Sequence, residues 1–334
     1  MKTLLVDGDN LFKIGFHGVR DLFVEGNHIG GVFHFLNSLR RQLDDNEYDK
    51  VIVFWDGKGN STVRRRIYPN YKLNRRNDMN EQKLESYYWQ KSRVKEYLEE
   101  SFVRQIEVEE NESDDLIAYY CHLAVDEEKV VLSSDKDLLQ LISDHTKIYS
   151  PIKKFYYQKG DFVKFGDWEI PHQNVLVTKV LMGDKSDNID GIKLLGEKTF
   201  VKLFPEVLEK VVSVDDILNK SRELFQDENK SSVLKNIIDG NTKRGTLGEE
   251  FYITNQTLVD LANPLISEEA KTIVELYYSE SLDPEGRTSR NIISMMTQDG
   301  FFKYLPKNDE AFVDFLKPFM KLSRKEKRKF KQSN

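Results

Sequence analysis

At 334 residues, with 39% hydrophobic and 11% aromatic side chains, the chain has enough apolar material for one large core or two modest ones and reads as a soluble globular protein. No apolar run approaches the roughly 20 residues of a membrane helix, Met1 to Val6 reaches Asp7 before a signal-peptide core can form, and the single cysteine, Cys121, excludes an internal disulfide framework, so a reducing cytoplasm is expected. The formal charge of −6 divides unevenly: residues 321–334 hold seven Lys or Arg against one Glu and leave −12 on the rest, which excludes wholesale attraction of a polyanion but not local basic patches.

A first apolar run, Thr3 to Val6, ends on Asp7 and reads as a buried strand over 3–7. A helix is predicted near 31–43 and a second strand over 50–56, ending on Asp56. Residues 57–100 form a long polar insertion whose second half has a helical pattern, and an insertion of this size is usually functional or disordered. Strand 102–108, helix 114–124, strand 129–135 and helix 136–142 follow. Alternation of this kind predicts an α/β fold with a mainly parallel central sheet flanked by helices. Residues 152–168 read as a short antiparallel edge around Lys159, Gly160 and Asp161, and a helix near 172–182 then delivers Gly183 and Asp184. From 189 the pattern is helical, with apolar stretches near 200–212, 267–279 and 288–297. Phe312, Phe315, Leu316, Phe319 and Met320 at helical spacing lead into the basic tail, which reads as a disordered solvated end or as a DNA tether or partner-binding segment.

Acids recur where apolar runs end: Asp7 and Asp9, Asp56, then Glu112, Asp114 and Asp115, then Asp135 and Asp137, then Asp184 and Asp187. In open parallel sheets the ligand crevice lies outside the carboxyl ends of the strands, so acids from distant segments converge there. Converged carboxylates raise one another's pKa unless a cation neutralises them. Mg2+ prefers oxygen ligands, and two such ions about 3.5 to 4 Å apart clamp both oxygens of a phosphoryl transfer.

Each acidic segment alone has an ordinary reading. Glu112 to Asp115 and Ser133 to Asp137 suit capped helix N-termini, and 183–188 suits a polar turn. Their occurrence in order, each after an apolar run, is what those readings explain poorly. The insertion interleaves Arg64, Arg65, Arg66, Lys72, Arg75 and Arg76 with Tyr68, Tyr71, Tyr87, Tyr88 and Trp89. That composition suits a single-stranded polyanion, gripped by Arg forks and stacked on rings, and equally suits a solvated loop whose aromatics pack on the body. In the stretch from Gly191 to Thr199, glycines 191 and 196 bracket an apolar turn that opens a helix carrying Lys198 and Thr199; it reads as a phosphate-binding turn or as a tight helix-to-helix connection. The histidines show no metal-ligand spacing.

Taken together these motifs resemble the 5'-nuclease superfamily, which includes flap endonucleases, the 5'-exonuclease domain of bacterial DNA polymerase I and phage ribonucleases H. The matching pieces are Val-Asp-Gly-Asp-Asn at 6–10, the strand ending on Asp56, Glu-x-Asp-Asp at 112–115, Asp135 and Asp137, Gly-Asp-x-x-Asp-Asn at 183–188, and Tyr-Lys-x-x-Arg at 71–75. Chain length and the stretch Ile273 to Tyr278, continuing through Pro284, Gly286 and Arg287 toward Phe301, are similar to the T-even phage ribonuclease H type. One departure is that Leu194 and Leu195 stand where the family's turn has glycine and an apolar residue.

The resemblance implies a 5'-nuclease core over 1–188 with a helical arch at about 57–100. It further implies a helical duplex-binding domain over 189–305 with a helix-hairpin-helix-like turn, and a C-terminal helix with a basic tail over 306–334. It implies one Mg2+ on Asp7, Asp56, Glu112 and Asp114 and a second on Asp135, Asp137 and Asp187, with Asp115 and Asp184 supporting the metal site. Mn2+ would substitute, and a K+ is implied at the turn. Lys72 and Arg75 would steady the scissile phosphate, while Arg64, Arg65, Tyr71, Gly191, Gly196, Lys198 and Thr199 would contact nucleic acid. The implied substrates are DNA with a 5' flap or fork and RNA–DNA hybrids. The implied partners are a replication clamp or a single-strand-binding protein, and the implied setting is a monomer in the cytoplasm, that of the host if the chain is phage-encoded. Two rivals stand beside this reading. A haloacid-dehalogenase-type phosphatase would use Asp7 and Asp9 with a later Gly-Asp-x-x-Asp, and a noncatalytic nucleic-acid-binding module would use only the basic segments.

Overall fold

The computed structural model describes residues 1–19, 22–75, 79–226, 231–280, 282–283, 285, 287–305 and 310–333. Arg76, Pro284 and Gly286, singled out above, lie outside them. The first half of the chain contains β1 (Lys2–Asp7), α1 (Gly8–Gly18), a small hairpin of β2 (Phe23–Val24) and β3 (Asn27–His28), α2 (Gly30–Asp45), β4 (Lys50–Trp55), α3 (Thr62–Ile67), α4 (Glu81–Glu100), β5 (Arg104–Glu107), α5 (Ser113–Leu123), β6 (Glu128–Leu132), β7 (Thr146–Ser150) and β8 (Phe155–Tyr157). Six of these strands form one sheet in the order β5-β4-β1-β6-β7-β8, parallel except for β8. The alternation of side chains explains why the strands read as unbroken apolar runs. Leu5, Ile52, Phe54 and Val131 point into one core, while Leu4, Val6, Val51, Val53 and Leu132 point into another on the opposite face.

The expected antiparallel edge divides differently from its sequence pattern. β8 pairs with β7, and the strand after Asp161 is not its partner: β9 (Phe162–Phe165) pairs with β10 (Trp168–Pro171) in a hairpin of its own. The helix predicted over 136–142 is a short 3-10 turn, Asp137–Leu141. Helix α1 was not predicted, because three glycines in eleven residues weaken a helical pattern. Gly15 has a packing reason to be glycine, since a Cβ there would stand 2.7 Å from the His34 Cβ on α2.

The remaining elements are α6 (Asn174–Met182), α7 (Glu197–Leu203), α8 (Val214–Gln226), α9 (Ser232–Ile238), the two-residue strands β11 (Asn241–Thr242) and β12 (Gly245–Thr246), α10 (Glu249–Val259), α11 (Glu268–Ser279), α12 (Ser289–Gln298) and α13 (Ala311–Ser333). Their apolar residues do not gather in a core of their own. Phe200, Phe204, Leu234, Phe251 and Val274 join the core on the first face of the sheet, whereas Ile292, Met296, Phe315, Phe319 and Leu322 join the second. A boundary at 188/189 therefore does not separate two hydrophobic cores.

Residues 321–333, read above as a solvated tail or tether, are helical and packed on the body. Glu326 is fully buried in a two-pronged ion pair with Arg104 at the start of β5, at 2.9 and 3.0 Å. Lys325 and Lys329 donate to the Tyr48 and Asp49 carbonyls just before β4. Among the described residues no helix is long and apolar enough to cross a membrane.

Candidate active site

The parallel strands all finish at the same edge of the sheet, and the acids arrive there by short extensions. Asp7 is the last residue of β1 and caps α1, Asp56 follows β4, Glu112 and Asp114 open α5, and Asp135 and Asp137 follow β6. Asp184 and Asp187 come from the loop after α6, where an isolated bridge between Asp184 and Ile189 closes the turn. Asp135, Asp137 and Asp184 line a cleft of about 870 Å³ together with Lys179, Gly196, Lys198 and Thr199.

The electrostatics show how tightly these groups are placed. The Asp7 carboxylate accepts from the Asn10 N–H at 3.1 Å and the Ser133 hydroxyl at 2.8 Å. Burial nonetheless pushes Asp7 up to about 7, helped by the charges of Asp135 and Asp56. Asp114 is driven well above the usual carboxylate range by burial and by Asp135, Asp7, Asp56 and Asp137. Burial, with Asp135 and Asp184 adding, takes Asp137 to about 6 against the pull of Lys179. Burial would raise Asp56 too, but the Ser113 N–H and the charges of Lys13 and Lys72 hold it below its ordinary value.

Protein cations neutralise the outer acids. Lys72 Nζ lies 2.9 and 2.8 Å from the two Glu112 oxygens, and Arg75 donates to Asp187 at 2.5 Å. The Tyr71 hydroxyl sits between Glu112 and Asp187, 3.1 Å from each. Lys179, on the last turn of α6, bridges Asp137 and Asp184, and with Ser186 it holds Asp184 down to about 2 against the effect of burial. Among the described residues no three His, Cys, Asp or Glu side chains form a finished metal cage. The inner acids Asp7, Asp114 and Asp137 still carry pKa values raised by burial and by neighbouring carboxylates, Asp135 among them in each case, and an all-oxygen donor set with excess negative charge fits a hard divalent cation.

Several predicted contacts fall elsewhere. Arg64 does not face solvent: it is buried, forks onto Asp115 at 2.5 and 3.0 Å, and donates to the Leu258 carbonyl. Asp115 also accepts from the Leu265 N–H, so both its oxygens are occupied away from the cleft. Tyr71 is 2% exposed and cannot serve as a platform for bases. In the insertion the exposed rings are Tyr88 and Trp89, while Tyr87 packs on Phe12 and Phe16. Arg65 is exposed and donates to the Tyr71 carbonyl at 2.9 Å. Asp9, needed by the phosphatase reading, is buried and holds Lys91 at 2.7 Å and the Asp56 N–H at 2.9 Å. At the turn, a Cβ on Gly191 would stand 2.1 Å from the Met182 backbone, Gly196 is open, and Leu194 adopts φ 66° with its side chain exposed. Sequence reasoning missed Lys179, because a lysine in the last turn of a helix is ordinary.

The 70–75 segment of the insertion is pinned to the Asp184–Asp190 loop by bonds to main-chain carbonyls. The Lys72 N–H donates to the Asp187 carbonyl at 2.8 Å, and the Asn188 and Asn74 side chains donate to Asn70 and Lys185 carbonyls. This explains how the Tyr-Lys-x-x-Arg and Gly-Asp-x-x-Asp-Asn motifs, over a hundred residues apart, meet. One consequence is a proton-linked metal affinity. If the raised Asp7 and Asp137 carboxyls are metal ligands they must lose protons on binding, and divalent-ion affinity should then fall as the pH drops from 8 to 6, with proton release. The same shifts make the metal-free protein gain stability as the pH falls from about 7 toward 4, since the folded-state values lie above the unfolded ones. Titration calorimetry in two buffers of different ionisation heat, with thermal unfolding at pH 6 and 8, checks both. A pH-independent affinity would show that these acids do not take part in metal binding.

A family model described as "5'-3' exonuclease, N-terminal resolvase-like domain" matches residues 2–166. The 5'-3' exonuclease of Halalkalibacterium halodurans is 32% identical over 219 residues, which cover 61% of this chain and 69% of that protein. DNA polymerase I of Bacillus subtilis is 30% identical over 242 residues, covering 68% of this chain but 26% of the polymerase, so the chain spans about a quarter of that relative's length. Among solved structures, the phage T5 5'-exonuclease with bound zinc ions superposes with a TM-score of 0.62 at 18% identity, covering 97% of this chain and 100% of that one. The T5 flap endonuclease in complex with DNA and metal ions gives 0.59 at 18% identity, covering 97% and 100%. At these identities the structures speak for the shared fold, and the exonuclease relative speaks for the family. The chain belongs to the 5'-3' exonuclease family of metal-dependent nucleases.

Proposed function

We propose that this protein is a Mg2+-dependent 5'-3' nuclease that removes RNA primers and 5' flaps from DNA during replication by two-metal phosphodiester hydrolysis, similar to the T-even phage ribonuclease H type. The observation that carries this reading is the meeting of acids from the ends of β1, β4 and β6, the start of α5 and the 183–190 loop beside the arch cations Lys72 and Arg75. In this reading Asp7, Asp56, Glu112 and Asp114 hold one Mg2+ and Asp135, Asp137 and Asp187 the other, with Mn2+ able to substitute. Bound there, the ions would supply Lewis acidity on both sides of the scissile phosphate.

The chain's own groups then have separate tasks. Ser133 and Asn10 fix the Asp7 carboxylate, Tyr71 holds Glu112 against Asp187, and Lys179 orients Asp137 while Asp184 holds Lys179. Lys72 and Arg75 exchange their carboxylate partners for the scissile phosphate, a transfer that Arg geometry favours. Arg64 and Asp115 keep the root of the arch in place, and exposed Arg65 stands near the path of the 5' strand. Gly191, Gly196, Lys198 and Thr199 form the duplex-contacting turn of the 189–305 region, which stands between a nuclease core over 1–188 and a C-terminal segment over 306–334. A K+ at that turn, a monomeric state, and a clamp or single-strand-binding protein as partner complete the proposal.

Cleavage of a 5'-labelled flap and of an RNA-primed duplex, each with Mg2+ and with EDTA, tests it. Short Mg2+-dependent products from both substrates are the expected result. Duplex binding without turnover would favour the noncatalytic module instead. Duplex affinity that does not rise when K+ replaces Na+ at constant ionic strength would remove the monovalent ion.

A further inference from the structure

We propose that the outward face of α13 is a second docking surface, distinct from the carboxylate cleft, that holds the sugar-phosphate backbone of a nucleic-acid duplex without reading its sequence. The inference rests on the reading of DNA as the substrate. Lys317, Lys321, Arg324, Arg328 and Lys331 are all exposed. At about 100° per residue they fall within an arc of roughly 80°, and at ~1.5 Å rise they make a stripe about 21 Å long. Among the described residues none of the five is in an ion pair, whereas the inward cations Lys325 and Lys329 pair with Asp49 and Glu326. The helix has two acids: Asp314 precedes the stripe, and Glu326 is buried beneath it.

What turns a charge run into a surface is the inner side of the helix. Phe315, Leu316, Phe319 and Leu322 are buried against α2 and its neighbours, and the Glu326–Arg104 pair locks the far half to β5. The backbone of the stripe is therefore ordered before any partner arrives, which lowers the entropy cost of binding. The helix runs alongside α2 and ends beside the starts of β4 and β5, the end of the sheet opposite the carboxylates. It is thus no part of the cleft.

The chemistry favours a duplex backbone over other anions. The duplex rises 3.4 Å per base pair, so a stripe of this length laid along it spans about six base pairs and meets phosphates where the strands pass beneath it. No exposed aromatic ring stands among the five cations, so single-strand bases find no stacking platform. A membrane-surface helix would need a free apolar face, and here that face is already buried in the core. With −12 on the chain outside residues 321–334, DNA is repelled by most of the surface and is held where cations are massed.

The test is the salt dependence of duplex binding by the full chain in EDTA, compared with a variant carrying Gln at positions 317, 321, 324, 328 and 331. Thermal unfolding of both proteins serves as the folding control. Five lost phosphate contacts should lower the magnitude of the slope of log Kobs against log[KCl] by about 4.5 and weaken duplex binding at least tenfold at low salt. A folded variant with an unchanged slope would overturn the proposal. So would a loss confined to an acidic protein, to anionic vesicles or to single strands. Lys321→Glu with Arg328→Glu should lose more affinity per site than the Gln changes, and unaltered duplex binding in that folded variant would overturn the proposal as well. Failure of the nuclease reading looks different: the unaltered chain would then produce no Mg2+-dependent cleavage at all, whatever the stripe does.

Discussion

Asp135→Asn is expected to abolish cleavage of a 5' flap while leaving duplex affinity unchanged within about twofold. The substitution keeps the size of the side chain and retains an oxygen that accepts the Asp137 N–H, which is 3.0 Å from Asp135 Oδ1. It removes one negative charge from the group that raises Asp7, Asp114 and Asp137. Losing a metal carboxylate should cost about 4 kcal/mol of transition-state stabilisation, or roughly 10³-fold in rate. Single-turnover kinetics with saturating enzyme measure the loss, and gel-shift titration in EDTA measures the binding. Cleavage retained within tenfold would remove Asp135 from the metal set.

Glu326→Ala should lower the free energy of unfolding by about 3 to 5 kcal/mol, because it leaves the Arg104 guanidinium buried with the Glu280 carbonyl as its remaining described acceptor. Chemical denaturation gives this directly. Replacing both partners by apolar residues of similar size, Arg104→Met with Glu326→Leu, should recover most of the loss, since two buried charges then disappear together. A cost below about 1 kcal/mol for Glu326→Ala would mean that the end of α13 is only loosely seated. The basic segment would then behave as the solvated tail its composition suggests.

Much of the architecture was legible because apolar runs and acids carry local signals. Strands over 3–7, 50–56 and 129–135 read as buried from their composition and are observed over 2–7, 50–55 and 128–132, and the rule that ligands gather at the carboxyl ends of parallel strands placed Asp7, Asp56 and Asp135 at one edge. α1 escaped because its helical state depends on Gly15 packing against α2, a tertiary contact that outweighs three glycines. The fate of the 321–333 segment was equally hidden, since one buried glutamate among seven cations looks like a solvated charge run until Arg104 is brought beside it.

The sequence by itself determined the alternation of strands and helices, the acids that end the strands, and the motifs that tie the chain to its family, because each is written in neighbouring residues. Only the tertiary structure decided which charged groups are buried and with whom. Arg64 and Tyr71 look like nucleic-acid contacts in a basic loop, yet folding encloses them, one forked onto Asp115 and the other wedged between Glu112 and Asp187. Lys179 gives no sign of its place between Asp137 and Asp184 until α6 is packed beneath the cleft. The physical reason is that taking a charge out of water is costly unless an opposite charge is supplied from elsewhere in the fold, and that partner is set by three-dimensional packing rather than by spacing along the chain.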